Sequence, residues 1–466
     1  MIAIKKKHSV NVARNSTATW LMMLAVAAAL FLGLLAVVFG NIANQHLGLL
    51  AALPATLVLG LLFAFNRSLL FLFIIMTRSF LDPVLNFTKA GGSTGLGGVL
   101  NALVIALALV ALFSQPLPAL RELRNTWGVL LLALLLSIGF SPAIWPSIKM
   151  NLIMLSYAAV FILPMFFIKN QVDFKRWMVV ILWSALVPVL FGLYQKATGH
   201  GFHEGANLRI QGSFEHPNIF AFYLVLMISL LFTIYRGALI QVAGWVRMTI
   251  PFVILVMLGL LVLTKTRSAW AACFAFFLLY GVFMERRVLL PLLLLSLLAL
   301  AVPEVRDRLT SLTTGNHRVM FEQLNSYAWR KLMWQSALHF MTRSHYLLGY
   351  GAGSFQFYSN QFFSLAGRSS PGAHSVYVQL LFETGGFGLL AFIALLVNML
   401  LRAKRLFSRD PRIGFLLVSM IIAYTFYCYS DNVLDYLAFN WYFWFVIGAL
   451  LGYLARLQPS ESPHAA

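Results

Sequence analysis

The stretch "SVYVQLLFETGGFGLLAFIALLVNMLL", residues 375–401, decides the fold class, because it is apolar over a length that suits a membrane. Its one charged side chain is Glu383, and about 20 apolar residues let a helix cross the hydrocarbon core. Within lipid, a helix is the open-chain structure that satisfies its own backbone hydrogen bonds. The stretch therefore predicts a transmembrane helix, whose glycine cluster after Glu383 favours close packing against another segment.

Runs of this kind recur along the 466 residues, of which 61% are apolar and 10% charged, and the mean hydropathy is +0.83. We predict an all-α, polytopic membrane protein with about 12–14 transmembrane helices. The first is expected to be an uncleaved helix, since no small-residue cleavage site follows it. The predicted spans are 18–39, 47–65, 68–81, 97–114, 128–145, 150–168, 176–194, 219–235, 248–264, 268–284, 288–302, 375–401, 413–431 and 437–455.

The basic residues predict the orientation of these spans. Lys and Arg number 34 against 14 Asp and Glu, a net charge of +20, and most lie in short loops, which makes nucleic acid a poor explanation. With the N-terminus in the cytoplasm beside Lys5–Lys7, alternate loops are all basic, as the positive-inside rule requires. Both termini are then cytoplasmic. These loops contain Arg67; Arg121 and Arg124; Lys169, Lys175 and Arg176; Arg236 and Arg247; Arg286 and Arg287; and Arg402, Lys404, Arg405, Arg409 and Arg412.

The opposite face receives one long connection. We divide the single membrane domain into N-terminal transmembrane helices (1–302), an outer helical segment (303–373) and three C-terminal transmembrane helices (374–466). Trp, Leu and Phe recur at helical spacing in "NSYAWRKLMWQSALHFM", residues 325–341, which predicts amphipathic helices lying on the membrane. "GYGAGSF", residues 349–355, is predicted to be a glycine-rich turn that returns to the membrane.

Four basic residues break the positive-inside pattern: Arg78, Arg209, Lys265 and Arg267. A basic side chain deep in the membrane costs roughly 2.5–3.5 kcal/mol, so such residues usually pair or mark a functional site. Arg78 could pair with Asp82, Arg209 could be a solvated loop base, and Lys265 and Arg267 could reach lipid headgroups. Together they predict a site for a phosphate-bearing ligand on the outer face, because guanidinium groups bind phosphate oxygens bidentately.

His374 stands where the outer segment becomes a span. It is either a structural residue or, on the same face as these cations, a general base. Glu383 lies nine residues on, ~13 Å deeper on the opposite side of a regular helix, and is not expected to orient it. The sequence predicts no metal site, because "DNVLD", residues 431–435, is the nearest approach to clustered carboxylates, and Cys273 and Cys428 lie within spans.

Four segments resemble the O-antigen ligase superfamily, in the order and topology that the family has, through most of 200–390. "AHSVYVQLLFETGGFGLL" (373–390) is similar to its signature, and "RIQGSFEHPN" (209–218) to its Arg-x-x-Gly-x-Phe-x-x-Pro-Asn segment. "TKTRSAWAA" (264–272) and the stretch 327–355 are similar to two further family segments. By position, His374 matches the family's essential histidine, and Arg209 and Arg267 its essential arginines.

The resemblance implies a metal-independent glycosyltransferase in the inner membrane of a Gram-negative bacterium, with its active site on the periplasmic face. An O-antigen ligase takes a glycan from undecaprenyl diphosphate and transfers it to lipid A–core, which completes lipopolysaccharide. No cofactor, nucleic acid or obligate protein partner is implied. His374 would act on the acceptor hydroxyl, while Arg209, Arg267, Lys265 and Arg78 would hold the diphosphate. Ser375 departs from the family, many of whose members have Asn there.

Three alternatives stay open. An O-antigen polymerase or a protein O-oligosaccharyltransferase of the same superfamily would share the donor and differ in the acceptor. A membrane transporter would also suit the number of spans. Carriers often contain internal repeats and matched broken helices, and we find neither in this sequence.

Overall fold

A computed structural model describes residues 57–87, 96–114, 116–204, 207–310, 324–366, 370–408 and 410–456. These residues are mostly helical, which confirms the prediction of an all-α polytopic membrane protein. Among them, seven helices are long and apolar enough to cross a membrane. These are Gly97–Ser114, Ile144–Phe167, Gln171–Thr198, Pro217–Tyr235, Gly244–Leu263, Val376–Phe407 and Pro411–Ser430. The predicted span 18–39 and the first part of 47–65 lie outside the described residues.

The helices are numbered here in chain order from residue 67. The first nine are α1 (Arg67–Thr77), α2 (Asp82–Phe87), α3 (Leu96–Ser114), α4 (Pro116–Thr126), α5 (Gly128–Ile138), α6 (Ile144–Ile162), α7 (Pro164–Phe167), α8 (Gln171–Trp183) and α9 (Leu186–Thr198). A short antiparallel hairpin follows, made of β1 (Phe202–Glu204) and β2 (Asn207–Arg209). The next four helices are α10 (Pro217–Tyr235), α11 (Gly244–Leu263), α12 (Arg267–Phe283) and α13 (Leu289–Ala301).

The remaining helices are α14 (Pro303–Thr310), α15 (Ser326–Phe340), α16 (His345–Leu348), α17 (Ser354–Phe362), α18 (Val376–Phe407), α19 (Pro411–Ser430) and α20 (Leu437–Arg456). The predicted span 128–145 contains α5, of 11 residues, and two further predicted spans are also short. The span 68–81 is α1, of 11 residues, followed by a 3-10 turn at Arg78–Phe80. The span 288–302 is α13, of 13 residues. At 1.5 Å per residue neither crosses a bilayer of about 30 Å as a straight helix.

Helix α10 is the most enclosed of the long apolar helices, with 83% of its apolar stretch buried. Large aromatic side chains fill the space around it and between α6 and α20. Trp127 and Trp444 pack edge to face with ring centroids 4.6 Å apart, and Tyr223 on α10 meets Tyr442 at 5.0 Å. Because lipid is as apolar as these side chains, such packing and interhelical hydrogen bonds hold the bundle together. The N-terminus of α10 is thereby fixed at the site described below.

The outer segment has a core of its own above the bundle. Apolar side chains from α15, α17 and the start of α18 pack together there, and Met333, Ala337, Phe355 and Phe382 are buried among them. The glycine-rich turn returns the chain to the bundle as predicted. Gly351 has φ +94°, and a Cβ there would lie 2.3 Å from the backbone of Ser141.

The glycine cluster of α18 serves close packing, as its sequence predicted. Gly385 has φ +66°, which breaks the helix locally, and a Cβ there would lie 2.2 Å from the carbonyl oxygen of Leu347. Glu383 is buried at the same contact. Its backbone carbonyl accepts the N–H of Gly351 at 2.8 Å, and its side chain accepts from the N–H of Phe355 at 3.3 Å. Glu383 therefore anchors the turn.

Several of the predicted basic loops meet at one end of the bundle. Arg236 forms an ion pair with Glu285, and Arg412 donates to the carbonyl oxygen of Arg236 at 2.7 Å. Arg402 pairs with Glu122. The loop after α10, the loop after α12 and the start of α19 thus share one face, as alternate loops of an antiparallel bundle should.

Candidate active site

A cavity of about 1670 Å³ opens between α11, α12 and α13, with α15 at one end. Its middle is apolar, lined by side chains such as Leu255, Leu258, Phe274, Leu295 and Leu298. Its lining on α11 runs over residues 251–262, which corresponds to about 17 Å along the helix. We call this apolar part the groove.

Four basic side chains line the outer end of the groove: Arg209, Lys265, Arg267 and Arg330. We call this group the cationic mouth. Three of the four were predicted from the sequence as cations on the wrong side of the membrane. The structure brings these three together although they come from the hairpin, the turn after α11 and the start of α12.

Arg209 ties these elements to one another. It is 6% exposed, and its Nε donates to the carbonyl oxygen of Thr264 at 2.8 Å. Its Nη1 pairs with Glu204 at 3.0 Å. Its Nη2 donates to Asn218 Oδ1 at 2.7 Å and to Thr266 Oγ1 at 3.1 Å. Such a saturated guanidinium fixes the geometry of the mouth and contributes its charge to it.

Lys265 occupies the turn between α11 and α12 in a backbone conformation that lysine rarely adopts. Its φ is +55°, and a non-glycine residue in this left-handed region stores on the order of 1–3 kcal/mol of strain. The turn places Lys265 in the cavity wall, one residue before Thr266 and two before Arg267. A strained residue that carries a charge toward a cavity indicates a functional role.

Arg330 was not singled out from the sequence, where its helix was predicted to be amphipathic and to lie on the membrane. In the structure α15 lies across the outer end of the groove. Arg330 Nη1 donates to the carbonyl oxygen of Ser430 at 2.5 Å, at the end of α19. In the sequence, the one indication of a role for Arg330 was that it is a basic residue in an aromatic-rich helix. The neighbouring Lys331 has the same property, so the sequence could not distinguish the two.

His374 lies beside a carboxylate that the sequence did not assign to it. Its Nδ1 is 3.6 Å from Oδ1 of Asp431, and its own φ is +49°. The ring of Trp329 stands edge-on at 6.0 Å between centroids. Neighbouring contacts fix the turn that carries His374: Trp334 Nε1 donates to the carbonyl oxygen of Ala373 at 2.6 Å, and Ser375 N to Asn432 Oδ1 at 3.1 Å.

Asp431 is buried and held by several donors. Oδ2 accepts from Asn218 Nδ2 at 2.5 Å and from Tyr436 OH at 2.8 Å, and Oδ1 accepts from the backbone N–H of Asn432 at 2.9 Å. Burial raises the pKa of Asp431, but nearby His374 and the charge of Arg330 outweigh it and hold the pKa well below its usual range. At 3.6 Å from Nδ1 the ionised carboxylate acts on the imidazole through its charge, and after a small approach to hydrogen-bond distance it would orient the ring so that Nε2 acts as the base.

Arg78 does not lie at this site. Its Nη1 pairs with Asp82 at 2.5 Å, and the two side chains are 5% and 6% exposed. Its guanidinium also lies 5.8 Å from the ring centroid of Trp441, inside the bundle. The four-residue spacing puts both charges on one helical turn, so the structural interpretation of Arg78 fits and a role in binding a diphosphate does not.

Within the described ranges, no group of three or more His, Cys, Asp or Glu side chains is close enough together to hold a metal ion. Of the two aspartates in "DNVLD", Asp431 lies beside His374. Metal independence stays a prediction, and the assay below tests it.

Residues 252–393 match the family model described as O-antigen ligase. The match includes Lys265, Arg267, Arg330 and His374. No curated protein sequence matches the chain.

Proposed function

Because the chain carries a domain of the O-antigen ligase superfamily over residues 252–393, we propose that it is an inverting, metal-independent glycosyltransferase. It takes O-antigen glycan from undecaprenyl diphosphate and transfers it to lipid A–core. The observation that carries the proposal is a cavity in which the cationic mouth stands at the head of a long apolar groove, and whose wall includes Asp431, the carboxylate 3.6 Å from His374.

The cavity fits an amphiphilic donor. The apolar groove accepts an isoprenoid chain, whose burial gains about 25 cal/mol per Å². The cationic mouth receives the diphosphate, because guanidinium and ammonium groups stabilise phosphate oxygens strongly in a partly desolvated site. Lys265 and Arg267 line the mouth directly. Arg209 adds its charge from behind, since its hydrogen bonds go mostly to Thr264, Glu204 and Asn218.

The reaction is a single displacement at the anomeric carbon. The acceptor hydroxyl oxygen forms the new glycosidic bond while the bond from the anomeric carbon to the diphosphate oxygen breaks. The electron pair of that bond leaves with the lipid diphosphate, whose charge the cationic mouth stabilises. The hydroxyl proton passes to Nε2 of His374, and Asp431 stabilises the resulting imidazolium. In-line attack inverts the anomeric centre, so an α-linked product from an α-linked donor would contradict this mechanism.

Separate arguments support the orientation of the protein in the membrane and the identity of the acceptor. The basic loops cluster at the end of the bundle away from His374, which the positive-inside rule assigns to the cytoplasm, so the site faces the periplasm. The donor and the acceptor are both periplasmic lipids in Gram-negative inner membranes. The described residues of the outer segment, 303–310, 324–366 and 370–373, add no separate soluble domain that would bind an extended peptide, which favours lipid A–core over a protein acceptor.

A reconstituted assay tests the proposal. Purified protein in detergent is mixed with undecaprenyl-diphosphate glycan and lipid A–core in the presence of EDTA. Wild type should give glycan-shifted lipopolysaccharide and His374→Ala should give none. His339→Ala, an exposed histidine of α15, should match wild type. Glycan lengthening on its own lipid would identify a polymerase, and dependence on added metal would contradict the metal-independent mechanism.

A further inference from the structure

Asn218 stands between the cationic mouth and the catalytic pair. Its Oδ1 accepts from Arg209 Nη2 at 2.7 Å and from Thr266 Oγ1 at 3.1 Å. Its Nδ2 donates to Asp431 Oδ2 at 2.5 Å. A continuous series of contacts therefore leads from Arg209 through one carboxamide to Asp431 and on to His374.

The chemistry at this position suits a carboxamide. One end must accept from a guanidinium and a hydroxyl, while the other must donate to an ionised carboxylate. An aspartate in the same place would accept at both ends and meet Asp431 as a second anion, and an alanine would remove one hydrogen bond from each partner and break the connection between them. Both hydrogen bonds involve charged partners, which makes them stronger than neutral ones.

The backbone around Asn218 is fixed as well. Asn218 lies in the first turn of α10, and His216 caps this turn by accepting the Asn218 N–H on Nδ1 at 3.1 Å. Burial lowers the pKa of His216, which keeps Nδ1 available as an acceptor. Since α10 is the most enclosed long helix, Asn218 sits on a rigid support.

We propose that Asn218 is a positioning residue that couples occupancy of the cationic mouth by a diphosphate to the orientation and protonation of His374. This inference rests on the proposed function for its biological meaning, but not for its test. A diphosphate beside Arg209 would interact with the same guanidinium group that donates to Asn218. The hydrogen bond from the Asn218 carboxamide to Asp431 then changes in strength. The altered Asp431 in turn changes the orientation and protonation of the His374 imidazole.

The charges around His374 define what a titration can report. Asp431 is the nearest anion, and Asp435 and His216 also act electrostatically on the ring. Arg330 acts on Asp431, and Lys149 acts on Asp435. A substitution at position 218 replaces none of these groups, and among them Asp431 is the one that the Asn218 side chain contacts, so a changed titration of His374 reports on the contact between Asn218 and Asp431.

Kinetics of two variants separate positioning from donor binding. Asn218→Ala should lower kcat about 100-fold through misorientation of the base, and change the donor KM by less than about threefold, because Arg209 keeps Thr264 and Glu204. Asn218→Asp should move the acidic limb of the pH–rate profile upward by about one pH unit, since a second anion favours the imidazolium. A raised KM with unchanged kcat would reduce Asn218 to a donor contact.

A matched control exists at the opposite end of the bundle. Asn398 Oδ1 accepts from Arg402 Nε at 2.8 Å, Arg402 pairs with Glu122, and Asn398 Nδ2 donates to the carbonyl oxygen of Asn125 at 3.1 Å. Asn398→Ala removes the same kind of asparagine–arginine contact far from His374. It should change neither kcat nor the pH profile.

The decisive measurement does not require turnover. Histidine side chains of the full chain in nanodiscs are isotope-labelled, and His374 is titrated by NMR with and without inorganic pyrophosphate, using His374→Gln for assignment. Pyrophosphate should shift the His374 titration in wild type and in Asn398→Ala. The shift should disappear in Asn218→Ala, while pyrophosphate still binds with a dissociation constant within about threefold of wild type.

An equal shift in Asn218→Ala, or no shift in wild type at saturating pyrophosphate, would overturn the coupling through Asn218. If the shift follows the expected pattern but wild type transfers no glycan, the proposed function fails and the coupling stands. The two ideas therefore fail on different readouts.

Discussion

The carboxylate of Asp431 lies 3.6 Å from the imidazole Nδ1 of His374, at the point where the start of α18 meets the end of α19. The two helices run antiparallel, so His374, two residues before α18, and Asp431, the first residue after α19, share a level in the bundle. Asp431 is ionised and buried, and His374 is partly exposed, with 38% of its side chain accessible. This arrangement gives the histidine a fixed anion on one side and an approach for substrate on the other.

Removing the carboxylate charge should disable catalysis with little loss of donor binding. We expect Asp431→Asn to lower kcat at least about 100-fold, because the imidazole loses the group that orients it and stabilises its charged form. His374→Ala should do the same. The double variant should be no worse than either single variant, since residues that act as a unit are not additive. Steady-state kinetics check this, and additive losses would show that the two side chains act separately.

The stability contributed by Asp431 should depend on pH with a definite sign. Its pKa is depressed in the folded protein, so its contribution is complete above the unfolded pKa of about 3.9 and is lost as pH falls through the folded pKa. The Tm difference between wild type and Asp431→Asn should therefore be present above the unfolded pKa and decline as the carboxylate is protonated. It should shrink below about pH 4. A difference that is larger below about pH 4 than at about pH 5 would contradict the assignment of an ionised Asp431.

Arg78 should prove to be a structural residue. Breaking a buried ion pair by removing one partner costs about 3–5 kcal/mol, so Arg78→Gln and Asp82→Asn should each lower the Tm strongly. Replacing both partners by apolar residues of similar size should recover much of that loss. Donor KM, measured on the stable double variant, should stay at the wild-type value. A large increase in KM with an unchanged Tm would instead return Arg78 to the diphosphate site.

The strained backbone at Lys265 allows charge and strain to be separated. Lys265→Ala and Lys265→Gly both remove the ammonium group, so both should raise the donor KM by the same factor, on the order of tenfold. Glycine tolerates φ +55° without a Cβ penalty, and we expect Lys265→Gly to be about 1 kcal/mol more stable than Lys265→Ala. Thermal unfolding and donor titrations measure the two effects. Different KM values for the two variants would mean that the turn itself, and not the charge, binds the donor.

The sequence carried the parts of the site that depend on local composition. Lys265 and Arg267 interrupt apolar runs, and Arg209 precedes one. The free-energy cost of placing their charges in a membrane was therefore evident without knowledge of any tertiary contact. His374 stood out because a polar connection ends there. Asp431 was visible only as one of few outer-face carboxylates, and its partner could not be identified. Asn218, an uncharged residue inside a recognised segment, offered no electrostatic signal.

What the sequence by itself determined is the helical membrane fold, the alternation of basic loops and the set of cations that disobey it, because hydrophobicity and charge act through the composition of each segment. What the tertiary structure alone decided is which of those groups meet. Arg78 pairs with Asp82 away from the site, while Arg330 from α15, Asn218 from α10 and Asp431 at the end of α19 contribute to it. Contacts between helices depend on how side chains of distant segments interlock, and no periodicity within one segment encodes that.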